Sequence, residues 1–413
     1  MLSLLHTLIT WLFGSPKHKT EKQEHHKPIS PEKHKTDTTS LHQRIHEHLL
    51  AHYELRYNLL TEEPEFRDKD SSKPWRTIDR LAFNTLAIKA IDANIGAWSI
   101  DIERLLHSYN LPRYQPLSHY LQQLPVWDGT DRVTALAHRV STDPLWTETF
   151  HIWLRAMVAQ WAERLMTTAN ALIPLLISQQ QGMRKSTFCR MLMPTQLTAY
   201  YNEHLNLTAA GNVEAQLAKL GLINLDEFDR YNPRQTATLK NLLQLPHICR
   251  RRAYRQQLVS HPRLASFIAT SNEREILTDP TGSRRFLCIE ITEPIDCSPI
   301  PHDQLYAQLL AEVNANEPTY LHPHLEKRIQ RHNRAFQQPS PATEILWRVF
   351  RHHRPTEKAP LLTATEIFEY LTQTHPAAMR SLRPHSFGRI LRSQGLIPLH
   401  TRHGNAYPLV ARE

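Results

Sequence analysis

Short apolar runs alternate with stretches of helical periodicity between residues 172 and 291, and this alternation constrains the fold most. The runs lie within "LIPLLIS", "LGLINLDEFD", "RLASFIATSN" and "RRFLCIEI", while "STFCRMLM" and "TATLKNLLQL" have the spacing of helices. An unbroken apolar run of strand length is typical of a strand buried on both faces. Strands that alternate with helices predict a parallel sheet. We therefore expect an α/β fold with a parallel-sheet core over residues 171–336.

The stretch "SQQQGMRKSTF", residues 178–188, follows the first of these runs and opens a predicted helix. Its end matches the phosphate-loop pattern G-x-x-x-x-G-K-[ST], but Gln179 and Arg184 stand where the pattern has glycine. Taken alone, the match is compatible with chance. In such a loop the lysine reaches the phosphates and the hydroxyl binds Mg²⁺. The residues expected to contact the phosphates of ATP are Gln181, Gly182, Arg184, Lys185, Ser186 and Thr187.

Acidic and amide side chains follow the next two runs. "LINL" ends in Asp226-Glu227, and "FIATS" is followed by Asn272. Ligands of parallel α/β sheets collect at the carboxyl ends of the strands. Asp226 can hold Mg²⁺ and Glu227 can polarise an attacking water, while Asn272 can orient that water; the alternative is two acids that cap a loop. Three such features in chain order indicate a P-loop ATPase core that uses ATP and Mg²⁺.

Arg184 leaves three interpretations open. Its cation can face the phosphates, its side chain can clash with a tight loop, or it can point into solvent. The same substitution can preserve binding while slowing turnover.

The stretch between Asp229 and Glu273 contains no acidic residue and many arginines. Its centre, "HICRRRAYRQQLVSHPR", is compatible with a hairpin. Guanidinium groups pair with phosphates and an aromatic ring stacks on a base, so we expect nucleic acid to contact Arg250, Arg251, Arg252, Tyr254 and Arg255. The alternative is an arginine-rich face that meets the acids of a neighbouring subunit.

Two arginines in "DPTGSRRF" directly precede the fourth run. Arg284 or Arg285 can act as an arginine finger or sensor on a γ-phosphate, supplied within the chain or by a neighbour. Structural salt bridges are the competing use.

The flanks of the core predict four further segments. Residues 1–14 are apolar but too short to cross a bilayer, which takes about 20 residues; they either pack on the body or touch a membrane surface, without stable insertion. Together with a polar, Lys/His-rich linker they form segment 1–40. Residues 41–112 predict a small α+β region with two strands in "YELRYNLL" and "PEFR", and 113–170 are mainly helical. Residues 341–413 combine three helices with a hairpin expected to turn at Gly404-Asn405, as in a winged helix.

Composition narrows the class of partner and the compartment. The formal net charge of +9 is typical of proteins that bind a polyanion such as nucleic acid. The alternative is a basic protein that has no such partner. The 4 cysteines show no C-x-x-C spacing, so we expect no zinc site or disulfide framework, and a reducing cytoplasm.

The motifs together resemble the virulence-associated protein E family of mobile elements and phages. The resemblance runs over about residues 113–336 and rests on "YQPLSHYLQQLPVWDGTDRV", "QGMRKSTF", "LINLDEFD", "RRAYRQQLVSHPRLASFIATSN" and "DPTGSRRF". The flanks "RYNLLTEEPEFR" and 341–413 are similar to those of variants from Bacteroidetes mobile elements. The family is similar to superfamily 3 helicases and to the helicase parts of phage primases, which implies an AAA+-like core of three layers.

This resemblance implies roles for individual residues. Lys185 and Ser186 would bind nucleotide and Mg²⁺, Asp226 and Glu227 would form the Walker B pair, and Asn272 would be sensor 1. It further implies a ring-forming helicase or initiator that acts on DNA, with any primase a separate protein. The alternative, which Gln179 and Arg184 keep open, is a nucleotide-dependent DNA-binding regulator or interaction protein of a mobile element that does not hydrolyse the nucleotide.

Overall fold

The computed structural model describes most of the chain beyond its first 39 residues. The described ranges are 40–164, 168–207, 210–251, 258–278, 283–338, 340–353, 360–380, 382–402 and 404–412. The apolar segment 1–14 and nearly all of the predicted linker therefore lie outside the described residues.

A small sheet covered by three helices begins the described chain. It consists of α1 (Leu41–His52), β1 (Tyr53–Asn58), β2 (Glu63–Asp68), β3 (Arg76–Thr77), α2 (Arg80–Asp92), α3 (Ser99–Leu106) and β4 (Arg113–Tyr114). The strand order is β3-β2-β1-β4, with β1 and β2 antiparallel. Inward residues of β1 and β2, such as Leu55 and Phe66, pack with the helices in one core. The two strands predicted in this α+β region are confirmed.

Three helices lead from this sheet into the central part of the molecule. They are α4 (Pro116–Gln122), α5 (Arg132–His138) and α6 (Pro144–Trp161). Asp131 and Asp143 begin α5 and α6 by accepting backbone hydrogen bonds from the first turn. Trp146, Trp153 and Trp161 of α6 are fully buried. The prediction that this part is mainly helical is confirmed.

A five-stranded parallel sheet forms the core of the molecule. Its strands are β5 (Ile173–Ile177), β6 (Tyr201–Asn202), β7 (Leu222–Leu225), β10 (Ser266–Ser271) and β11 (Phe286–Glu290), in the order β11-β5-β10-β7-β6. Every pairing in it is parallel. All four predicted strands are confirmed. The two-residue β6 was not predicted because it is too short to show an apolar run.

Helices pack on both faces of this sheet. They are α7 (Lys185–Met191), α8 (Ala210–Lys219), α9 (Pro233–Leu242), α10 (His302–Asn314) and α11 (Pro323–His332). Alternate strand residues point to two separate cores, since Leu176 and Ile268 pack with α6 and α10 whereas Leu175 and Phe267 pack with α8 and α9. The chain is thus a mixed α/β protein with a parallel sheet.

The arginine-rich stretch forms a separate antiparallel pair, β8 (His247–Arg251) and β9 (Leu258–Pro262). The predicted hairpin is confirmed for its two strands. Arg250 and Arg251 lie at the end of β8, whereas Arg252, Tyr254 and Arg255 fall outside the described residues.

The C-terminal part packs four helices against short strands. It contains α12 (Pro341–Val349), β12 (Phe350–His352), β13 (Leu361–Thr363), α13 (Ala364–Thr374), α14 (Pro376–Met379), α15 (Pro384–Ser393), β14 (Leu399–Thr401) and β15 (Gly404–Ala411). The strand β15 pairs with β12, β13 and β14. A capping box of Thr363 and Glu366 begins α13.

Two details of this part differ from the sequence-based expectation. The helical spacing of "TEILWRVFRHHR" extends beyond Val349, but α12 ends there because Phe350 enters a strand pairing with Ala411. The hairpin turns before Gly404 and not at Gly404-Asn405. The reason is that Gly404 already pairs with Thr401, whose hydroxyl donates to the Gly404 carbonyl over 2.8 Å.

Candidate nucleotide-binding site

The register of the parallel strands brings three chain segments together at one edge of the sheet. Ser271 of β10 pairs with Ile177 of β5, and Ala269 pairs with Leu225 of β7. The next residues of β5 and β7 therefore meet Thr270 and its neighbours at the carboxyl ends of the strands. Asp226 and Asn272, which directly follow β7 and β10, therefore lie at the same end of the sheet as the loop after β5.

Lys185, the first residue of α7, lies at the centre of this site. Its side chain is buried, and Nζ donates to the carbonyl oxygen of Ser178 over 2.9 Å and to Oδ1 of Asn272 over 3.0 Å. Burial lowers the pKa of Lys185, while the charges of Asp226 and Asp229 oppose that shift. The ammonium is thus held by neutral oxygens near two carboxylates, at the mouth of the loop.

Asp226 joins α7 to the neighbouring strands. Its Oδ1 accepts hydrogen bonds from the hydroxyls of Ser186 over 2.7 Å and of Thr270 over 2.5 Å. The Thr270 hydroxyl also accepts from the backbone N–H of Glu227 over 3.2 Å. Hydroxyl and carboxylate oxygens are ligands that Mg²⁺ prefers. Ser186 and Asp226 therefore fit the first two protein ligands of such an ion.

The loop between β5 and α7 uses left-handed backbone at two positions. Gly182 has φ of 78° and Arg184 has φ of 59°. Glycine adopts this conformation without steric conflict, whereas other residues do so at a cost. Position 184 therefore has the backbone for which the phosphate-loop pattern supplies glycine, and this chain adopts it with arginine.

The side chain of Arg184 is exposed, as are Gln181 and Thr187. A hydrogen bond from Ser298, together with the charges of Arg139 and Arg184, lowers the pKa of Asp296. Ile295 donates its backbone N–H to the carbonyl of Met183 over 3.3 Å. Arg184 thus lies on the side of the loop that faces the segment 295–297, which supports the loop from outside.

Glu227 and Asp229 complete the acidic side of the site. Glu227 has φ of 51°, and its half-exposed carboxylate pairs with Arg230 over 2.7 Å. Asp229 accepts the backbone N–H of Asn272 over 3.1 Å. The sequence analysis missed Ser178, Thr270 and Asp229. Their signal was positional, since each lies within two residues of a predicted site residue or directly across from one in the sheet.

Arg284 and Arg285 are not part of this site. They lie in a 3₁₀ turn before β11. The first residue of β11, Phe286, pairs with Ile173 at the amino ends of the strands, opposite to the end that carries the site. Arg284 pairs with Glu326 over 3.2 Å, and both arginines line a cavity of about 250 Å³. The expectation of an arginine finger supplied within the chain is therefore wrong, because these arginines lie one strand length away from Lys185. Supply by a neighbouring subunit stays a prediction.

Fold and site define a class of protein before any comparison: an α/β protein with a parallel sheet that gathers a lysine, a hydroxyl and a carboxylate at its carboxyl edge. The chain belongs to the family of virulence-associated protein E-like domains, which it matches over residues 121–338. Residues 339–409 match a second family, described as a domain of unknown function from B. Theta (DUF3874).

Comparisons with whole proteins add a loose structural likeness. An apo structure of the NrS-1 C-terminal region (305–718) has a TM-score of 0.43 and 12% identity, and covers 90% of this chain and 99% of that chain. An A-form apo structure of the NrS-1 C-terminal region has a TM-score of 0.40 and 13% identity, with 86% of each chain covered. No curated protein matches the chain.

Across the described part of the chain, no helix has both the length and the apolar character needed to cross a membrane.

Proposed function

We propose that this chain is a P-loop ATPase of the AAA+ type and that residues 178–187 are its phosphate-binding loop. One observation carries the proposal: the buried ammonium of Lys185, the Ser186 hydroxyl and the Asp226 carboxylate meet at the carboxyl edge of a parallel sheet. Phosphate loops need a lysine, a hydroxyl and a strand-end acid in this relation.

The roles of the side chains follow from their present contacts. Lys185 would exchange its bonds to Ser178 and Asn272 for phosphate oxygens, which carry more negative charge. Ser186 and Asp226 would hold Mg²⁺, an ion that neutralises charge on the phosphates. Among the described residues no three His, Cys, Asp or Glu side chains gather to bind a metal. Phosphate and water oxygens would therefore supply the remaining ligands, as is usual for Mg²⁺.

Glu227 would polarise the attacking water, and Asn272 would orient it. Glu227 first has to leave Arg230, and an exposed pair of this kind is worth about 0–1 kcal/mol. Asn272 is exposed and accepts a hydrogen bond from Lys185, which supports a role beside a γ-phosphate. Arg284 or Arg285 of a neighbouring subunit would complete the site in a homo-oligomeric ring.

DNA is the polyanion that this ATPase would act on. The β8–β9 hairpin carries arginines and lies in the chain between β7 and β10, the strands that Asp226 and Asn272 follow. In the C-terminal part, α12, α13 and α15 with the β14–β15 hairpin support a winged helix. Residues 343–413 carry ten Lys and Arg against five Asp and Glu. Membership of the virulence-associated protein E-like family supports a role in the replication of a mobile element. The chain would act there as a motor in the cytoplasm, beside a separate primase.

Phosphate release with and without single-stranded DNA tests this function. We expect ATP turnover that DNA stimulates and that Lys185→Ala abolishes. Lys73→Ala is the matched control, because Lys73 is exposed in the N-terminal sheet region and pairs with Asp68 at the surface. A rate that ignores DNA, or a Lys185→Ala variant with full turnover, would contradict the proposal.

A second candidate is a DNA-binding regulator that binds nucleotide but does not hydrolyse it. The observation that favours it is the left-handed backbone of Arg184, since arginine at this position stiffens the loop in a strained conformation. It predicts heat of ATP binding in calorimetry without phosphate release, and a gain of turnover in Arg184→Gly.

A further inference from the structure

The outward face of α2 is apolar and exposed. Leu81, Ile88 and Ile91 are 77%, 57% and 56% exposed, although the opposite face of the same helix buries Leu86 and Ala90. The exposed residues are seven and three positions apart, which places them in one stripe along the helix.

A helix that is apolar on both faces is normally covered on both. Two more large apolar side chains are exposed just after α2, namely Trp98 (77%) and Ile100 (49%). Several large apolar side chains exposed along one helix face mark a docking site. Its occupant has to present apolar side chains at helical spacing.

We propose that residues 1–14 of the same chain dock on this stripe of α2. The segment "MLSLLHTLITWLFG" carries Leu5, Leu8 and Leu12 at spacings of three and four residues and no Lys, Arg, Asp or Glu. It therefore offers an apolar row of helical period that matches the uncharged stripe of Leu81, Ile88 and Ile91.

The intervening chain is long enough to allow this contact. A random coil of 25 residues, the number from 15 to 39, spans about 25–30 Å. Leu41, at the start of α1, packs partly buried on the same core as Ala82 and Phe83 of α2. The chain therefore enters the body at the core that α2 covers, and the segment has to reach only from there to the outer face of that helix.

The size of the stripe favours this occupant over a second copy. A stable interface between separate molecules buries about 800 Å² on each partner, far more than three side chains supply. A tethered segment needs less, because a short flexible tether gives it an effective concentration of about millimolar. The inference is independent of the proposed ATPase activity.

Disulfide trapping in the full-length chain tests this contact. The background carries Cys249→Ser and Cys297→Ser, while Cys189 and Cys288 are buried and stay. The test pair is Leu8→Cys with Ile88→Cys. The control pair is Leu8→Cys with Lys89→Cys, since Lys89 is exposed on the same helix but about 100° around its axis.

We expect the test pair to form an intrachain disulfide about tenfold faster than the control pair, at a rate independent of protein concentration. Equal rates in both pairs would overturn the proposal. Disulfides that form only between chains, at a rate that rises with concentration, would overturn it in favour of a second copy. Circular dichroism of the reduced variants shows that both are folded before the rates are compared.

Discussion

The ammonium of Lys185 lies 3.0 Å from the side-chain oxygen of Asn272, although the two residues are 87 positions apart in the chain. The contact exists because β5 and β10 are parallel neighbours whose carboxyl ends lie side by side. It links the loop that would hold phosphate to the residue that would sense it. The link can be weakened or strengthened by single substitutions at position 272.

Asn272→Asp should strengthen the link and weaken nucleotide binding. A carboxylate at this position would form a charge-assisted bond to Lys185 and add negative charge where phosphates are expected. We expect the free energy of unfolding to be retained and the affinity for ATP to fall about tenfold or more. Asn272→Ala is the control: it should lower the free energy of unfolding by about 1 kcal/mol without adding charge. Calorimetry with ATP and urea denaturation measure the two quantities, and an Asp variant with unchanged affinity would contradict the placement of the phosphates.

Thr270→Val should destabilise the site more than Thr270→Ser. Thr270 is buried, and its hydroxyl both donates to Asp226 and accepts from the backbone of Glu227. Valine has nearly the same shape but leaves that N–H and one carboxylate oxygen short of a partner, a loss of about 1–3 kcal/mol. Serine keeps the hydroxyl.

The same pair of variants separates positioning from mere packing. If Thr270 positions Asp226 for a metal, the Mg²⁺ concentration needed for half-maximal ATP binding should rise in Thr270→Val and stay unchanged in Thr270→Ser. Equal values in the two variants would show that the hydroxyl has no part in placing the carboxylate.

The acid stability of the chain should depend on Asp131, which joins α5 to α10. Its carboxylate accepts hydrogen bonds from Gln308 over 2.9 Å and from the backbone of Thr134 over 3.1 Å. Partial burial alone would raise the pKa of Asp131, but the bonds from Gln308 and Thr134 lower it from 3.8 to about 2. Because the pKa of Asp131 is lower in the folded state, the unfolded chain binds the proton more readily at pH values between the two pKa values.

The contribution of Asp131 is therefore present above pH 3.8 and is lost as the pH falls from about 4 to about 2. We expect Asp131→Asn to unfold with a weaker pH dependence across this window than the parent chain. Urea denaturation at a series of pH values measures it. Identical acid limbs for both proteins would show that Asp131 does not contribute.

The central sheet and the meeting of Lys185, Asp226 and Asn272 were predictable from the sequence. A strand buried on both faces leaves an unbroken apolar run, and parallel connection places the residues after each run at one edge of the sheet. The same reasoning could not find Thr270, because its role depends on the register that sets it beside Asp226. A strand buried on both faces has no alternation of apolar and polar residues, so the pattern that normally marks register is missing from its sequence.

For Arg284 and Arg285 the local context could be predicted from the sequence, but the place in the fold could not. Their position before a strand could be predicted from the sequence. Their place at the amino ends of the strands follows from strand direction, and Glu326, the partner of Arg284, belongs to a helix that is distant in the chain. The end of α12 at Val349 could not be predicted from the sequence either. The residues beyond it have helical spacing and form a strand only because β15 pairs with them.

Arg184 offers a test of strain that compares two substitutions. At φ of 59° we expect Arg184→Gly to change the free energy of unfolding by less than about 1 kcal/mol, because relief of the left-handed backbone offsets the greater freedom of the unfolded chain. Arg184→Val should lower it by about 1–3 kcal/mol, since a β-branched residue fits this conformation poorly.

The order of the two variants should reverse at a helical position. Arg104 is exposed in α3, where glycine is less favourable than valine by a few tenths of a kcal/mol (about 0.3). Measured by urea denaturation, glycine should therefore be the better replacement at 184 and the worse one at 104. The same order at both positions would mean that the loop adopts another backbone in solution. Phosphate release by Arg184→Gly, compared with the parent chain, then distinguishes a loop that already hydrolyses ATP from one in which arginine prevents it.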